Sequence, residues 1–492
     1  MTGLAVVDTG ISLDPDARRT IARFYVPGHE DVGPGDSRAA PVIERVLGLT
    51  EDEVEVALHD IVDRFTGRHA DLSAMFEHHA SLVAHRLGTS TVLTPARRDL
   101  LGAAFTHEYS IEGAALCNPS MVRHPRQPGN GDVAFVMSVR GIGEGHRSSI
   151  GFRTGTVSAA GAVTVDAPGP LPRSAPATPG VHHKGVLHRK LAELHDDHEN
   201  AAYVLDPLPE RFDDAQLRGR LAALTAGAAT RRHASATVAN LQLLAELSYK
   251  VDFPATSAVS ERVLVPASSA ERHGLEDARF VEVTDGSAAR YCATYTAFDG
   301  ADVSQHLVTT EDFASFAVTP MAGAAARGKG LALFPRRIGG RHVALSRADR
   351  ENNSIAYSDD LLCWDTSEVL QTPRRTWEML QLGNCGSPIE TSGGWLVLTH
   401  GVGPMRTYSI GAMLLDLDEP HRVIGTSDRP IITPTNGRRD GYVPNVVYSC
   451  GALAVGDRLV IPYGVGDQTI AVATLSISDL LALLQGERHP TG

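Results

Sequence analysis

Residues 274–300 read GLEDARFVEVTDGSAARYCATYTAFDG: an acidic pair begins an apolar strand, and a Gly-containing turn leads to a second strand. The same layout returns at 118–140, 328–347, 386–401 and 445–467. In each unit the second strand ends on a residue with a polar group, and these ends are Arg140, Tyr295, Arg347, His400 and Tyr463. Antiparallel units that repeat at a period of roughly 50 residues are typical of β-propeller blades. The sequence therefore predicts a mainly β chain, a five-bladed β-propeller whose polar strand ends surround one central pocket.

Composition restricts the class of partner. The chain has 492 residues, with 45 basic and 58 acidic side chains and a net charge of −13. This charge argues against nucleic acid or an anionic membrane surface as the main partner. No apolar run reaches about 18 residues, and the N-terminal stretch lacks the charged and apolar regions of a secretory leader. The five cysteines are widely spaced and form no CxxC motif, which favours buried thiols in a reducing compartment. We expect a soluble, cytoplasmic protein with no nucleic-acid or membrane partner.

Helical sequence is added to the strand units at three places. Apolar residues recur at helical spacing within 51–108, which predicts a helical N-terminal extension over 1–110 and a candidate surface for homo-oligomerisation. The propeller domain is predicted over 111–477, interrupted by a Pro-rich loop and a helical insertion at 166–255. A short helix and tail are predicted over 478–492. The extension contains His69, His78, His79 and His85. None of these histidines has cysteine or carboxylate partners at ligand spacing, so no metal site is predicted.

The polar strand ends support two kinds of chemistry. Two carboxyl groups that face each other across a cleft can cleave a glycosidic bond, one protonating the leaving oxygen and the other activating water. Several cations in one pocket instead suit phosphate, which a phosphorylase uses in place of that water. Both residue types occur here, so the residues alone leave both reactions open. No Rossmann, Walker A, HExxH or GxSxG motif is present, and no organic cofactor is predicted.

The chain resembles glycoside hydrolase family 130, the five-bladed propellers that act on β-mannosides. The resemblance covers roughly residues 115–475 and is carried by GLEDARF (274–280), GKGLALFPRRIGG (328–340), GSPIETSGGWLVLTHG (386–401) and PYGVGD (462–467), among other segments. It implies that Asp277 is the general acid, working through a sugar hydroxyl as relay. It also implies a phosphate site in phosphorylase members, formed by Arg140, Lys329, Arg347 and His400. Further residues are expected to bind substrate: Asn118, His146, Ser148, Tyr295, Tyr408 and Asp467.

One departure from the family pattern decides between the two reactions. Phosphorylases of the family often carry Lys in the segment that reads SPIET here, where this chain has Glu390. Hydrolytic members replace phosphate-binding residues with glutamates that serve as base. We therefore expect Glu390 to lie about 6.5–9.5 Å from Asp277 across an open pocket, as inversion requires. The preferred prediction is an inverting glycosidase that hydrolyses β-mannosides, with β-1,2-linked manno-oligosaccharides as the expected substrates.

Two alternatives stay open. Because Lys329, Arg347 and His400 are retained, the first is a β-mannoside phosphorylase that uses inorganic phosphate as co-substrate and releases mannose 1-phosphate. The second is a sugar-binding propeller without catalysis, and the intact acidic pair argues against it.

Overall fold

The computed structural model describes residues 4–28, 38–88, 91–196, 198–284, 289–435 and 438–486. The turn predicted at 285–288 and the tail at 487–492 lie outside these residues. The chain divides into two units. The smaller unit comprises Asp16–Gly113 with Gly169–Arg173, and the larger unit comprises the remainder.

The smaller unit is mainly helical. In chain order, the N-terminal elements are β1 (Val7–Leu13), β2 (Thr20–Phe24), α1 (Ala39–Gly48), α2 (Glu51–Phe65), α3 (Leu72–Val83), α4 (Pro95–Ala104) and β3 (Thr106–Ser110). Helix α2 begins at a capping box in which Thr50 and Glu53 satisfy each other's backbone N–H groups. The helices bury an apolar cluster that includes Val54, Leu101 and Phe105. Strand β1 belongs to the larger unit, so the predicted 1–110 extension includes a strand of the other unit.

The larger unit contains the remaining strands in five sets, with a helical insertion after the first set. The first set and the insertion comprise β4 (Ala115–Arg123), β5 (Val133–Ile142), β6 (Ser148–Val157), β7 (Val163–Val165), β8 (Ala177–Pro179), β9 (His182–His183), α5 (Lys184–Glu193), α6 (Glu199–Leu205), β10 (Arg211–Phe212), α7 (Asp214–Ala226), α8 (Ala234–Ala245) and β11 (Tyr249–Asp252). The second set comprises β12 (Val263–Leu264), β13 (Gly274–Thr284), β14 (Ala289–Phe298), β15 (Val303–Thr310) and β16 (Ser315–Pro320).

The last three sets follow without another long insertion. The third set comprises β17 (Ala332–Leu333), β18 (His342–Ser346), β19 (Asn353–Ser358) and β20 (Ser367–Gln371). The fourth comprises β21 (Gln381–Asn384), β22 (Ile389–Thr391), β23 (Gly394–Gly403), β24 (Thr407–Leu415) and β25 (Val423–Thr426). The fifth comprises β26 (Val447–Tyr448), β27 (Leu453–Val455), β28 (Arg458–Val465) and β29 (Thr469–Ser476), and helix α9 (Ile477–Gly486) follows it.

Strands within each set pair antiparallel, mostly with their neighbours in chain order. The exceptions are β21, which pairs with β23, β26, which pairs with β28, and β12, which pairs with β6 of the first set. Besides the pairing of β12 with β6, a parallel pair between Ser148 and Gly274 joins the first and second sets. The insertion strands β11 and β8 extend the outer edge of the second set. Strand β1 pairs with β29, so the fifth set contains strands from both ends of the described chain.

Apolar clusters lie between consecutive sets. Phe152 and Phe280 belong to the cluster of the first and second sets. Further clusters link the second set with the third, the third with the fourth and the fourth with the fifth. Met137 of the first set and Val460 of the fifth share another cluster, so the last set also contacts the first. The prediction of a mainly β chain with helices is confirmed.

The insertion helices have an apolar cluster of their own, which includes Leu191, Leu217 and Leu241. Helix α9 covers the fourth and fifth sets through side chains such as Leu480 and Leu484. All five cysteines are buried thiols. Within the described residues, no helix is long and apolar enough to cross a membrane.

Candidate active site

A cavity of about 810 Å³ lies among strand ends and loops of all five sets. This volume is in the range of sites that hold small ligands. Eight of the residues predicted for the site line it: Asn118, Arg140, Asp277, Lys329, Arg347, His400, Tyr408 and Asp467. They come from β4, β5, β13, β23 and β24 and from the loops beside β17, β18 and β29. Of the five predicted polar strand ends, Arg140, Arg347 and His400 therefore meet at this cavity. Tyr295 and Tyr463 do not line it, and Tyr463 lies in the apolar cluster of the fourth and fifth sets, where its hydroxyl accepts from Arg438.

The acidic pair is held by cations. Arg140 contacts both carboxylates, at 2.6 Å from Glu276 Oε1 and 3.4 Å from Asp277 Oδ1. Lys329 Nζ forms an ion pair with the other oxygen of Glu276. Asn118 Nδ2 donates to Asp277 Oδ1 at 2.5 Å. Glu276 is thus committed to two ion pairs, while the contacts of Asp277 with Arg140 and Asn118 both use Oδ1.

Asp277 is presented by an irregularity of its strand. The pairing of β13 with β14 shifts between Glu276 and Arg279, and Asp277 has a φ of 56°. Asn118 occupies an equivalent shift in β4, with a φ of 48°, and Asp467 has a φ of 47° in the turn before β29. Asp and Asn enter this left-handed region more readily than other side-chain-bearing residues. Backbone strain of this kind clusters at functional sites.

Two carboxyl groups of the cavity, those of Asp277 and Asp467, differ in acidity. Burial would raise the pKa of Asp277, but the cations Arg140, Arg279 and Lys329 hold that pKa below its usual value. Burial raises the pKa of Asp467 to about 6, and the neighbouring Asp277 carboxylate adds to this increase. At neutral pH the free site therefore holds Asp277 as a carboxylate.

A second group of side chains lies on the third and fourth sets. Arg347 Nη1 donates to His400 Nε2 at 3.2 Å, and His400 Nδ1 lies 3.1 Å from the carbonyl oxygen of Asn384. Because a carbonyl oxygen only accepts, Nδ1 carries the proton and Nε2 accepts from Arg347. Burial, followed by the Arg347 charge, lowers the pKa of His400 well below its usual value. His400 is therefore neutral and orients the Arg347 guanidinium.

The backbone makes room for this pair at Gly383. A methyl group on Gly383 would lie 2.3 Å from Arg347 Cδ and 2.5 Å from His400 Cε1. Any larger residue at 383 would displace both side chains. The tight approach shows that the position of Arg347 is set by the structure around it.

The cavity is cationic beside Arg347. Arg350, Arg406, Gln381 and Tyr408 line the wall of the third and fourth sets together with Arg347 and His400, and no described residue of that wall contributes a carboxylate. Over the whole cavity, seven cationic side chains face five carboxylates. This balance is opposite to that of the chain, whose net charge is −13.

Buried polar atoms without partners mark where a ligand would bind. Among the described residues, Arg347 Nε, Arg140 Nε and Asn118 Oδ1 are buried and accept or donate no hydrogen bond. Such atoms are uncommon in folded proteins and call for a specific explanation. Arg347 Nε is a donor on the cationic wall, whereas Arg140 Nε and Asn118 Oδ1 lie beside Asp277, which suits an anion next to a hydroxylated ligand.

The structure corrects the prediction for Glu390. Its carboxylate accepts from Arg336 Nε at 2.9 Å and from Arg336 Nη2 at 2.7 Å, and the side chain is 45% exposed. Glu390 pairs in register with Trp395, five residues before His400 along β23. At about 3.3 Å per residue this places it roughly 17 Å from the cavity end of the strand. Glu390 is therefore not positioned to act as a base opposite Asp277.

Three other predicted residues also lie outside the cavity lining. Tyr295 is fully buried, and its hydroxyl donates to Glu271 within the apolar interior of the second set. Ser148 is buried and donates to the carbonyl of Leu275. His146 is exposed in the loop between β5 and β6, where its ring contacts Tyr442.

Several cavity residues were not predicted. Arg279 Nη2 donates to Tyr448 Oη at 2.8 Å, and Tyr448 lines the cavity. Arg279 is part of the GLEDARF segment, so its proximity to Asp277 could have indicated it. The remaining unpredicted polar residues are Lys190, Glu193, Asp302, Ser304, Gln305, Arg327, Arg350, Gln381 and Arg406. Lys190 and Glu193 belong to the insertion, where nothing in the sequence marks them.

Comparison with known proteins gives the family. A family model described as beta-1,4-mannooligosaccharide phosphorylase matches residues 236–486, just over half of the chain. The chain belongs to glycoside hydrolase family 130.

Two curated relatives illustrate the similarity. The chain is 35% identical over 214 residues to a 1,2-beta-oligomannan phosphorylase of Thermoanaerobacter sp. X514, covering 43% of this chain and 71% of the relative. It is 32% identical over 231 residues to a beta-1,2-mannobiose phosphorylase of Listeria innocua, covering 46% and 64%. A solved structure of beta-1,2-mannobiose phosphorylase from Listeria innocua aligns with a TM-score of 0.45 and 20% identity, covering 77% of this chain and 94% of that chain.

Proposed function

We propose that the protein is a β-mannoside phosphorylase. It cleaves a β-linked manno-oligosaccharide with inorganic phosphate and releases α-mannose 1-phosphate. The carboxylate-free, cationic wall around Arg347 carries this proposal, because a hydrolase of this design needs a base where the wall presents arginines. The preferred hydrolase prediction depended on Glu390, which is paired with Arg336 outside the cavity. The phosphorylase alternative therefore takes its place.

The chemistry follows from the two sides of the cavity. Phosphate binds beside Arg347, where guanidinium groups offer paired, charge-assisted hydrogen bonds to its oxygens. One phosphate oxygen attacks C1 of the mannosyl unit from the face opposite the scissile bond. The C1–O bond to the leaving sugar breaks, and the leaving oxygen receives a proton that originates from Asp277, through the sugar hydroxyl that the family resemblance implies. The anomeric centre is inverted, so a β-mannoside yields the α-phosphate.

Phosphate binding also prepares the acid. In the free site the pKa of Asp277 is lowered, so the group is ionised. A phosphate dianion places negative charge against the same cations, and a like charge nearby raises the pKa of a carboxyl group. Asp277 therefore takes up a proton when phosphate and substrate bind. The Asp277 carboxyl is therefore protonated, and able to act as an acid, only when the phosphate nucleophile is present.

The linkage and the fold are part of the proposal. Both curated relatives named above are β-1,2-mannoside phosphorylases, which supports β-1,2-linked manno-oligosaccharides as substrates. The five strand sets form the blades of a five-bladed propeller, supported by the apolar clusters between consecutive sets and between the last and first. The catalytic cavity then lies where the blades meet.

The test is product analysis with β-1,2-mannobiose, with and without phosphate. We expect mannose 1-phosphate and mannose in equal amounts when phosphate is present, and no turnover without it. Arg347→Gln should raise the KM for phosphate about tenfold or more, since a hydrogen bond to a charged group is worth about 1.5–3 kcal/mol.

Two controls use the ion pair outside the cavity. Arg336→Gln makes the same substitution, and Glu390→Gln removes the base that the hydrolase prediction required. Both should leave the KM for phosphate and kcat near the wild-type values. Release of free mannose at a rate independent of phosphate, and loss of that activity in Glu390→Gln, would restore the hydrolase.

A further inference from the structure

Helix α5 of the insertion forms one wall of the cavity. Val186 on this helix packs into the apolar cluster between the second and third sets. Arg189 forms a bidentate ion pair with Asp365, and each of its two contacts is 2.9 Å long. Glu193 Oε1 accepts from the backbone N–H of Gly323 at 3.1 Å. The helix is therefore fixed to the strand sets by packing and by charged contacts along its whole length.

Two polar side chains of α5 face the cavity. Lys190 Nζ lies 3.0 Å from Glu193 Oε2, and both residues line the cavity. The side chains are only 16% and 26% exposed. The pair offers ammonium donors beside a carboxylate acceptor. Adjacent hydroxyl groups of a neutral sugar ring, each able to donate and accept, can bind to both at once.

The second set indicates which sugar ring reaches this pair. Asp277 is on β13, and Phe298, Asp302 and Ser304 lie at the same end of the neighbouring strands, because Gly274 pairs with Phe298 and Phe298 with Val303. Strands lie about 4.8 Å apart, so Ser304 on β15 is two strands, or roughly 10 Å, beyond the strand of the acid. A leaving sugar that extends from the bond protonated by Asp277 across β14 would therefore approach Ser304.

The electrostatic environment connects these residues with α5. Ser304 Oγ lies 3.2 Å from His306 Nε2. Burial, followed by the Lys190 charge, lowers the pKa of His306 to about 3. The Lys190 ammonium group is therefore close enough to influence the His306 imidazole, which contacts Ser304. The cavity thus continues from Asp277 across β14 and β15 towards α5, which lies beside the junction of the second and third sets.

We propose that Lys190 and Glu193 bind the acceptor sugar, the neutral ring that leaves with the proton during phosphorolysis and attacks during synthesis. The inference depends on the proposed phosphorylase function. Residues of α5 lie outside the segment 236–486 that matches the family model. In this arrangement the insertion supplies acceptor recognition, while the mannosyl and phosphate ends are built from the strand sets.

The test is the synthetic reaction, with α-mannose 1-phosphate as donor and mannose as acceptor, followed by phosphate release. Lys190→Met keeps the aliphatic stem and removes the ammonium group. Glu193→Gln keeps an oxygen for the Gly323 N–H and removes the charge. We expect each to raise the acceptor KM about tenfold or more and to leave the donor KM within about twofold. Lys184→Met is the matched control, because Lys184 is on the same helix but does not line the cavity.

The outcomes separate the two proposals. An acceptor KM that is unchanged in both variants, with normal phosphate-dependent turnover, would overturn the role of α5 and leave the phosphorylase intact. Wild-type protein that neither joins mannose to mannose 1-phosphate nor uses phosphate would overturn the proposed function and this inference with it. If Lys190→Met fails to fold, Glu193→Gln gives the same measurement.

Discussion

At the level of one residue, ionisation of Asp467 in the folded protein lowers the free energy of unfolding. Burial raises the pKa of its carboxyl to about 6 from a usual 3.8. The folded state therefore binds this proton more tightly than the unfolded state does. Stability falls as pH rises from about 4 to about 6, and the loss is complete above that window. A shift of about two units corresponds to about 2–3 kcal/mol.

We accordingly expect Asp467→Asn to be more stable than the wild type at pH 7.5, by about 2–3 kcal/mol, because the amide needs no buried charge. The advantage should shrink towards zero at pH 4, where the wild-type carboxyl is protonated. Thermal midpoints of both proteins across this pH range provide the measurement. An advantage of equal size at pH 4 and 7.5 would show that the buried charge of Asp467 is not the cause.

The sequence indicates which single residues reach the cavity where a charged or polar group ends an apolar strand. Arg140, Arg347 and His400 end otherwise apolar strands, and buried charged or polar groups at such positions need partners or a function. Tyr295 failed for a geometric reason. Successive side chains of a strand point to opposite faces, so Tyr295 enters the apolar interior while Phe298, three positions later, lines the cavity. The sequence alone does not show which side chains of a strand face the apolar interior and which face the cavity.

At the level of elements, irregularities in strand pairing set the orientation of two site side chains. Asp277 and Asn118 both lie at shifts in strand pairing with left-handed backbone. Side chains of a regular strand alternate between its two faces, and an irregularity of this kind changes the direction of one side chain. It explains why the carboxylate of Asp277 and the amide of Asn118 meet although their strands belong to different sets.

A comparison of two substitutions isolates this backbone effect. Asp277→Ala and Asp277→Gly both remove the carboxylate and should both lower kcat by orders of magnitude. They differ in backbone preference, because the φ of 56° suits glycine and strains alanine. We expect Asp277→Gly to be more stable by about 1 kcal/mol, measured by urea denaturation. Equal stability, or a more stable alanine variant, would contradict strain at this position.

Elements differ in how far the sequence reveals them. The repeated strand–turn–strand units were visible because period-two alternation and turn residues are local signals. The position of β22 was not, because register depends on pairing with β23, and that pairing carries Glu390 away from His400. The insertion was recognised as helical, but the face that α5 turns to the cavity is set by packing against distant strands.

At the level of the whole molecule, the sign of the charge in the cavity is opposite to that of the chain as a whole. The chain carries a net charge of −13, while the cavity has seven cationic side chains and five carboxylates. A dianion approaching the protein is repelled at long range and attracted only near the cavity. Within the cavity, Arg140 and Lys329 are already paired with Glu276, which leaves the arginines of the Arg347 wall to attract the nucleophile.

Salt should therefore separate the two substrates. Arg350 and Arg406 are exposed, so their attraction for phosphate is screened, with a Debye length of about 10 Å at 0.1 M and about 3 Å at 1 M salt. We expect the KM for phosphate to rise about three- to tenfold between 0.02 and 0.5 M NaCl. The KM for the neutral mannoside, measured at saturating phosphate, should stay nearly constant. Arg406→Gln should flatten the salt dependence, because one screened charge is gone. If both KM values rise in parallel, salt acts on the fold or on the active-site geometry, and the arginine wall is not what attracts the nucleophile.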